Sequence, residues 1–306
     1  MGDYHVHLHP HGPWTGRGPK PGEYPRAHLE AYVEAAANRG WGEVGFTEHL
    51  YRCVESQHVL GEFWRSEGDS FVAAHTAAWV PEDRLLSLES YVGAVLDARD
   101  SGLPVLLGLE VDFFPETIEA VLELLDPYPW DVLIGSIHWV GAWSVDHEGA
   151  VSEFARRGVR RAYEEYFAAE TQLAESGAVD VLAHVDVVKK FGHHLAGPPT
   201  ELYAPVVAAA ARSGTAVEVS TAGLHHGAAE LYPSASFLEM FHEAGVPITL
   251  ASDAHAPEHV ARDFDHAVAA ARAAGYSERL AFRGRVGVRM PLEPVPGPNV
   301  EERAHE

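Results

Sequence analysis

His5-Val6-His7 sets two imidazoles two residues apart. On a β-strand alternate side chains share a face, so both rings can meet one cation. Asp253-Ala254-His255 repeats that arrangement near the other end of the chain. Between them stand Glu48-His49, Glu110 with Asp112, His138 and His184. These donors are imidazoles and carboxylates without sulfur, a set suited to Zn, Mn or Fe. They number about nine, against roughly four to six positions on one ion, so two or three divalent ions are expected. Polynuclear centres of this chemistry hydrolyse phosphoesters: they yield hydroxide near neutral pH and clamp the phosphate oxygens. Asp3, two residues before His5, is a candidate to orient that imidazole.

The donors follow short apolar runs that read as strands: 4–8, 43–47, 104–111, 132–137, 179–184, 216–220 and 246–252. Several are continuous rather than alternating, as in parallel strands buried on both faces. Amphipathic helices are predicted between them, over 29–38, 88–99, 118–125, 159–176, 203–212, 236–244 and 263–274. Most stop at a glycine: Gly40, Gly102, Gly177, Gly214, Gly245 or Gly275. This alternation predicts an α/β fold with a parallel sheet, either a barrel related to the (β/α)8 type or a doubly wound sheet. Every predicted strand except the sixth, which ends at Ser220-Thr221, ends in a metal-capable residue. In barrels, catalytic residues gather at the C-terminal ends of strands. One such histidine is commonly a hydrogen-bonded core residue; six strands ending this way argue for a site.

The 306 residues include 22 Lys plus Arg, 45 Asp plus Glu and 20 His, for a formal charge of −23. That balance argues against nucleic-acid or anionic-membrane partners, which require clustered positive charge. The single cysteine, Cys53, excludes an intramolecular disulfide framework and a cysteine zinc site. No apolar run approaches the roughly 18 residues that span a bilayer. No signal peptide is visible, so a cytoplasmic protein is expected. The expected organisation is one barrel domain over 1–290, an insertion at about 51–81 containing a short helix, and a poorly ordered tail over 291–306. The insertion carries Trp64, Phe71 and Trp79, and is either a lid or substrate wall or a packed surface excursion.

The sequence resembles the PHP (polymerase and histidinol phosphatase) superfamily, and within it the monofunctional histidinol-phosphate phosphatases. Asp3-Tyr4-His5-Val6-His7, Phe46-Thr47-Glu48-His49 and Gly108-Leu109-Glu110-Val111-Asp112-Phe113-Phe114-Pro115 carry the likeness. It continues through Gly135-Ser136-Ile137-His138, Ala183-His184-Val185-Asp186, Glu218-Val219-Ser220-Thr221-Ala222-Gly223 and Ser252-Asp253-Ala254-His255. The resemblance implies a distorted (β/α)7 TIM-like barrel with a trinuclear site at the C-terminal strand ends. It implies a metal-bridging hydroxide that attacks L-histidinol phosphate. One metal would take His5, His7, Glu110 and Asp253; a second, a loop histidine with His49 and His255; a third, His138 and His184 with Glu110 as bridge.

Two departures stand out. The family's loop histidine falls where this chain has Pro13, which leaves His11, His9 or, more remotely, His28, with His11 preferred. Where the phosphatases often carry a phosphate-binding arginine, this chain has His225-His226. Lys189, Lys190 and Arg52 are therefore candidates for binding phosphate, with His225 and Ser220 as further substrate contacts. Glu48, Asp112 and Asp186 are candidates to receive the substrate's ammonium, and Trp139 and Trp143 to stack on its imidazole. Two other readings remain open: a hydrolase of nucleotides or other small phosphoesters, and a non-catalytic metal-binding accessory module. Oligomeric state is not predicted.

Overall fold

The computed structural model describes residues 2–9 and 16–292. Seven parallel strands form the central sheet: β1 (Gly2–Val6), β2 (Glu43–Phe46), β3 (Val105–Asp112), β4 (Val132–Ser136), β7 (Val181–Leu182), β8 (Ala216–Ser220) and β9 (Ile248–Ala251). They run in that order around the sheet. A parallel bridge between Val6 and Ala254 nearly closes the ring, with His7 N–H donating to Ala254 O at 2.8 Å. The closure joins the two His/Asp motifs from opposite ends of the chain. The fold is the predicted TIM-like barrel of seven strands.

Every residue of β1, β3, β4, β8 and β9 is buried, as strands with a filled barrel on one side and helices on the other require. The outer helices include α1 (Arg26–Asn38), α4 (Leu88–Asp100), α5 (Ile118–Leu125), α7 (Val159–Ser176), α8 (Thr200–Ser213), α9 (Ala235–Glu243) and α10 (Phe264–Ala273). α7 and α8 end on left-handed Gly177 and Gly214, the conformation that releases a chain from a helix. Gly135 lets α7 approach β4, because a Cβ there would lie 2.8 Å from Val179 and 2.9 Å from Leu173.

The insertion after β2 is more helical than the expected single short helix. It holds 3-10 turns at Leu50–Arg52, Val54–Ser56 and Phe63–Glu67, with α2 (Gln57–Leu60) and α3 (Phe71–Asp83). Ser70 caps α3 by accepting from Ala73 N–H at 3.1 Å. A ribbon of β5 (Trp139–Val140) and β6 (Trp143–Ser144) leads from β4 to the short α6 (Glu153–Arg157).

An antiparallel hairpin, β10 (Glu278–Arg283) with β11 (Val286–Pro291), was not predicted. Its Phe282 and Leu280 pack on Val132, Ile134, Val181, Ala183 and Ala216 and plug the barrel at its N-terminal end. The hairpin also alters the expected tail. Pro291 ends β11, and buried Leu292 donates its N–H to Ser277 O at 2.8 Å while its carbonyl accepts from Arg272. Residues 293–306 of that tail lie outside the described residues. No described helix is long and apolar enough to cross a membrane.

Candidate metal centre

Glu110, fully buried on β3, is the hub. Its Oε2 lies 2.6 Å from His49 Nδ1, 3.4 Å from His5 Nε2 and 3.6 Å from His7 Nε2. Its Oε1 lies 3.0 Å from His184 Nε2 and 3.3 Å from His138 Nε2, and accepts from the Ser136 hydroxyl. The two oxygens thus divide the imidazoles into two sets. Asp253 Oδ1 adds a second carboxylate, 3.2 Å from His7 Nε2 and 3.6 Å from His5 Nε2. His255 stacks near His7, ring centres 4.5 Å apart.

Among the described residues, four groups of three donors at the strand ends fall within metal-binding reach: His7, His49 and His255; His5, His7 and Glu110; His5, His184 and Asp253; His49, Glu110 and His138. They share members, as expected where ions share ligands. His5 and His7 present their Nε2 atoms to each other at 3.1 Å, in a cluster that is otherwise carboxylate and imidazole. Such convergence of buried lone-pair donors is costly unless a cation or protons hold them together. The donor set fits divalent metal. The grouping of His184 with His5 and Asp253 differs from the expected set with His138, although both imidazoles reach Glu110 Oε1.

Electrostatics follow from crowding. Burial alone would raise the Glu110 carboxyl, but His49, His5 and His138 outweigh it and hold it well below the carboxylate range. Burial opposes a charged His5, yet Glu218, Glu110 and Asp253 push its pKa well above the usual value. His138 is raised likewise, against burial, by Glu110 and Asp112. His7 is lowered by burial and by His49 and His255; His255 falls to about 4, chiefly through burial.

Two of the donors sit on left-handed backbone, His184 at φ 25° and Asp253 at φ 52°. Such conformations cost about 1–3 kcal/mol and persist where surroundings over-determine them. Glu218 supplies part of that restraint: it accepts from His184 N–H at 2.8 Å and contacts His5 Nδ1 at 3.0 Å. Glu218 falls in a motif to which the sequence assigns no role. Asp3, expected to orient the His5 imidazole, touches only the His5 backbone N–H, at 3.4 Å, and otherwise accepts from Ser252 N–H at 3.0 Å, from the Ser252 hydroxyl and from Ala261 N–H at 2.8 Å. Asp3 holds the loop after β9; Glu218, two strands away from β1, holds the His5 ring.

Other expected site residues divide. Asp112 accepts from His138 Nδ1 at 2.8 Å and from Tyr51 N–H, so it orients a donor and is not open to an ammonium. Buried Glu48 accepts from His9 N–H at 2.7 Å, and Asp186 binds Lys189 and Ser234 N–H. Arg52 lies under the surface against Asp83 and donates to His9 O. Lys189 is held by Asp186, Glu230 and Leu231 O. Lys190 is different: it pairs with Asp146 at 3.1 Å and keeps about a quarter of its side chain exposed.

Trp143 is wholly buried, its indole donating to Ala150 O and its ring against Phe154, so it does not reach the mouth. Trp139 joins Tyr51, Trp79 and Phe114 in an aromatic wall beside His138. Ser220 accepts from Ala222 N–H, within its own loop. His225 turns outward to Asp263 at 2.6 Å. Its neighbour His226 contacts the Tyr232 hydroxyl at 3.2 Å and feels Lys190, Asp253, Asp146 and His255; burial pushes its pKa to about 4. His9 stacks on Tyr24 and joins none of the donor groups among described residues, and His28 is engaged by Leu8 O at 2.7 Å. His11 lies outside the described residues.

Comparison with known proteins agrees with this geometry. The PHP domain model matches residues 26–222, a range that omits His5, His7, Asp253 and His255. A Deinococcus radiodurans protein named as a probable histidinol-phosphatase is 33% identical over 83% of this chain and 90% of its own length. A Schizosaccharomyces pombe protein of the same name is 24% identical over 77% of this chain and 78% of its own. The crystal structure of a histidinol phosphate phosphatase from Lactococcus lactis subsp. lactis, complexed with zinc, L-histidinol and phosphate, superposes with a TM-score of 0.66. It is 21% identical and covers 94% of this chain and 98% of that one. The barrel, the donors at its strand ends and these matches make the chain a member of the PHP domain family.

Proposed function

We propose that this protein is a metal-dependent phosphomonoesterase that converts L-histidinol phosphate and water to L-histidinol and phosphate. The observation that carries the reading is the convergence of six imidazoles on Glu110 and Asp253 at the C-terminal mouth of the barrel. The name of the 33% identical relative supports the substrate. His5, His7, His49, Glu110, His138, His184, Asp253 and His255 would hold two to three divalent ions, Zn, Mn or Fe, with His11 as the candidate loop ligand. Such ions would supply positive charge for the phosphate oxygens and lower the pKa of an attacking water.

The chain's own residues orient and enclose. Glu110 spans the cluster with both oxygens; Glu218 and Asp112 fix the rings of His5 and His138. Of the three expected cations, Lys190 alone keeps part of its side chain exposed, and it would meet phosphate in place of a forked arginine. The aromatic wall of Tyr51, Trp79 and Trp139 screens one side from water.

Metal-loaded protein is expected to hydrolyse L-histidinol phosphate with higher kcat/KM than nucleoside monophosphates or an aryl phosphate. Chelation should abolish the activity and added divalent metal restore it, while His138→Ala and Asp253→Asn should greatly reduce kcat. Full turnover after exhaustive metal removal would overturn the reading. A preference for nucleotides would move it to another phosphoester, and less than one metal per chain with no hydrolysis would favour a non-catalytic module.

A further inference from the structure

The three carboxylates expected to receive the substrate's ammonium are all engaged elsewhere: Glu48 under His9, Asp112 on His138 and Asp186 on Lys189. A fourth carboxylate, Asp146, follows β6 on a segment tied to the donor cluster, where Val145 N–H donates to His138 O at 2.9 Å. Asp146 keeps about a quarter of its side chain exposed and meets Lys190 Nζ at 3.1 Å. Its charge acts on His138 and, from the same position, on Tyr51, His147, His226 and Tyr232. It thus stands near the donor cluster, the aromatic wall and Lys190, the one of the three expected cations that keeps part of its side chain exposed. His147, next in sequence, stacks on Trp79 with ring centres 4.7 Å apart, and Trp79 on Trp139 at 5.7 Å.

We infer that Asp146 is the substrate-binding residue that selects phosphomonoesters bearing an ammonium beside the ester. The inference rests on the phosphomonoesterase reading above. In such an aminol phosphate the ammonium and the ester oxygen sit on adjacent carbons. Only about 3–4 Å then separates the positive nitrogen from the ester oxygen, and about 4–6 Å from the other phosphate oxygens, by ordinary bond lengths. Asp146 and Lys190 present the opposite pattern, a negative and a positive group side by side. Without substrate they neutralise each other. When substrate enters, phosphate takes Lys190 and the donor cluster, and the ammonium takes Lys190's place on Asp146. Charge is conserved at each partner, so neither buried group is left unpaired. The imidazole then points toward Trp79, Trp139 and His147.

The test compares the parent enzyme with Asp146→Asn, on L-histidinol phosphate and on its desamino analogue, 3-(imidazol-4-yl)propyl phosphate. The ratio of kcat/KM for the two substrates should fall about 10- to 100-fold in Asp146→Asn, the range of one charged hydrogen bond. A second readout needs no turnover. The inhibition constant of L-histidinol should rise by a similar factor, while that of inorganic phosphate should not rise. Asp146→Glu should restore part of both. An unchanged ratio overturns the inference, as does an equal loss on both substrates with reduced metal content, which would make Asp146 a support of the metal centre. The reading on which it rests fails in a different way: the parent enzyme itself would not hydrolyse L-histidinol phosphate.

Discussion

At the scale of single residues, the centre depends on groups that never face substrate. Glu218 contacts the His5 ring with one edge and fixes the left-handed backbone of His184 with the same carboxylate. Outer hydrogen-bond partners of this kind are worth about 10- to 100-fold in metal affinity or activity. Glu218→Gln keeps the shape but removes the charge that holds His5 oriented. It is expected to weaken metal binding by that factor, read by equilibrium dialysis, while excess metal recovers most of the kcat. Retention of full affinity would limit Glu218 to a packing role. The candidate ligands were legible in the sequence because their types and strand-end positions repeat. Glu218 was not: its partner lies 213 residues away, and only the near-closure of the ring through β9 brings β8 within reach of β1. Asp146 escaped for a similar reason, since its place at the mouth depends on the turn after β6 rather than on any spacing.

At the scale of elements, helices 118–125 and 159–176 were predicted with the observed bounds, because their apolar stripes and stops coincide. The strand predicted over 179–184 shrinks to Val181–Leu182, since His184 takes a left-handed backbone and turns into the site. The β10–β11 hairpin was missed because its pattern is mixed: Arg279 and Arg283 flank a short Leu280-Ala281-Phe282 run, and β11 is exposed throughout. Its anchor is nonetheless clear. Phe282 is 2% exposed, lies edge-on to Tyr4 at 6.0 Å, and fills the end of the barrel opposite the metal centre. Phe282→Ala is expected to destabilise the fold by about 3–5 kcal/mol, the usual loss for a buried phenyl group. Denaturant unfolding measures it. Metal content at saturating metal should be unchanged, which separates support of the barrel from support of the site.

At the scale of the whole molecule, the candidate ligands belong to six of the seven barrel strands or to the residues that follow them, and only β8 sends none. Metal bound there would tie the ring together at the Val6–Ala254 bridge that nearly closes it. Binding to the folded state alone stabilises by about 2.7 kcal/mol at a hundredfold excess over Kd, so chelation should lower Tm by several degrees. The effect carries a pH dependence with a definite sign. In the metal-free fold the surrounding carboxylates raise His5 and His138, so these rings keep protons that metal must displace. The stabilisation those protons give the metal-free fold is complete below the unfolded histidine pKa and disappears as pH rises through the raised folded values. Metal affinity changes in the opposite direction. The difference in Tm between metal-loaded and chelated protein should therefore be larger at about pH 8 than at about pH 6. Differential scanning calorimetry with and without chelator at both pH values measures it. A difference that shrinks with rising pH would show that protons and metal do not compete for these imidazoles.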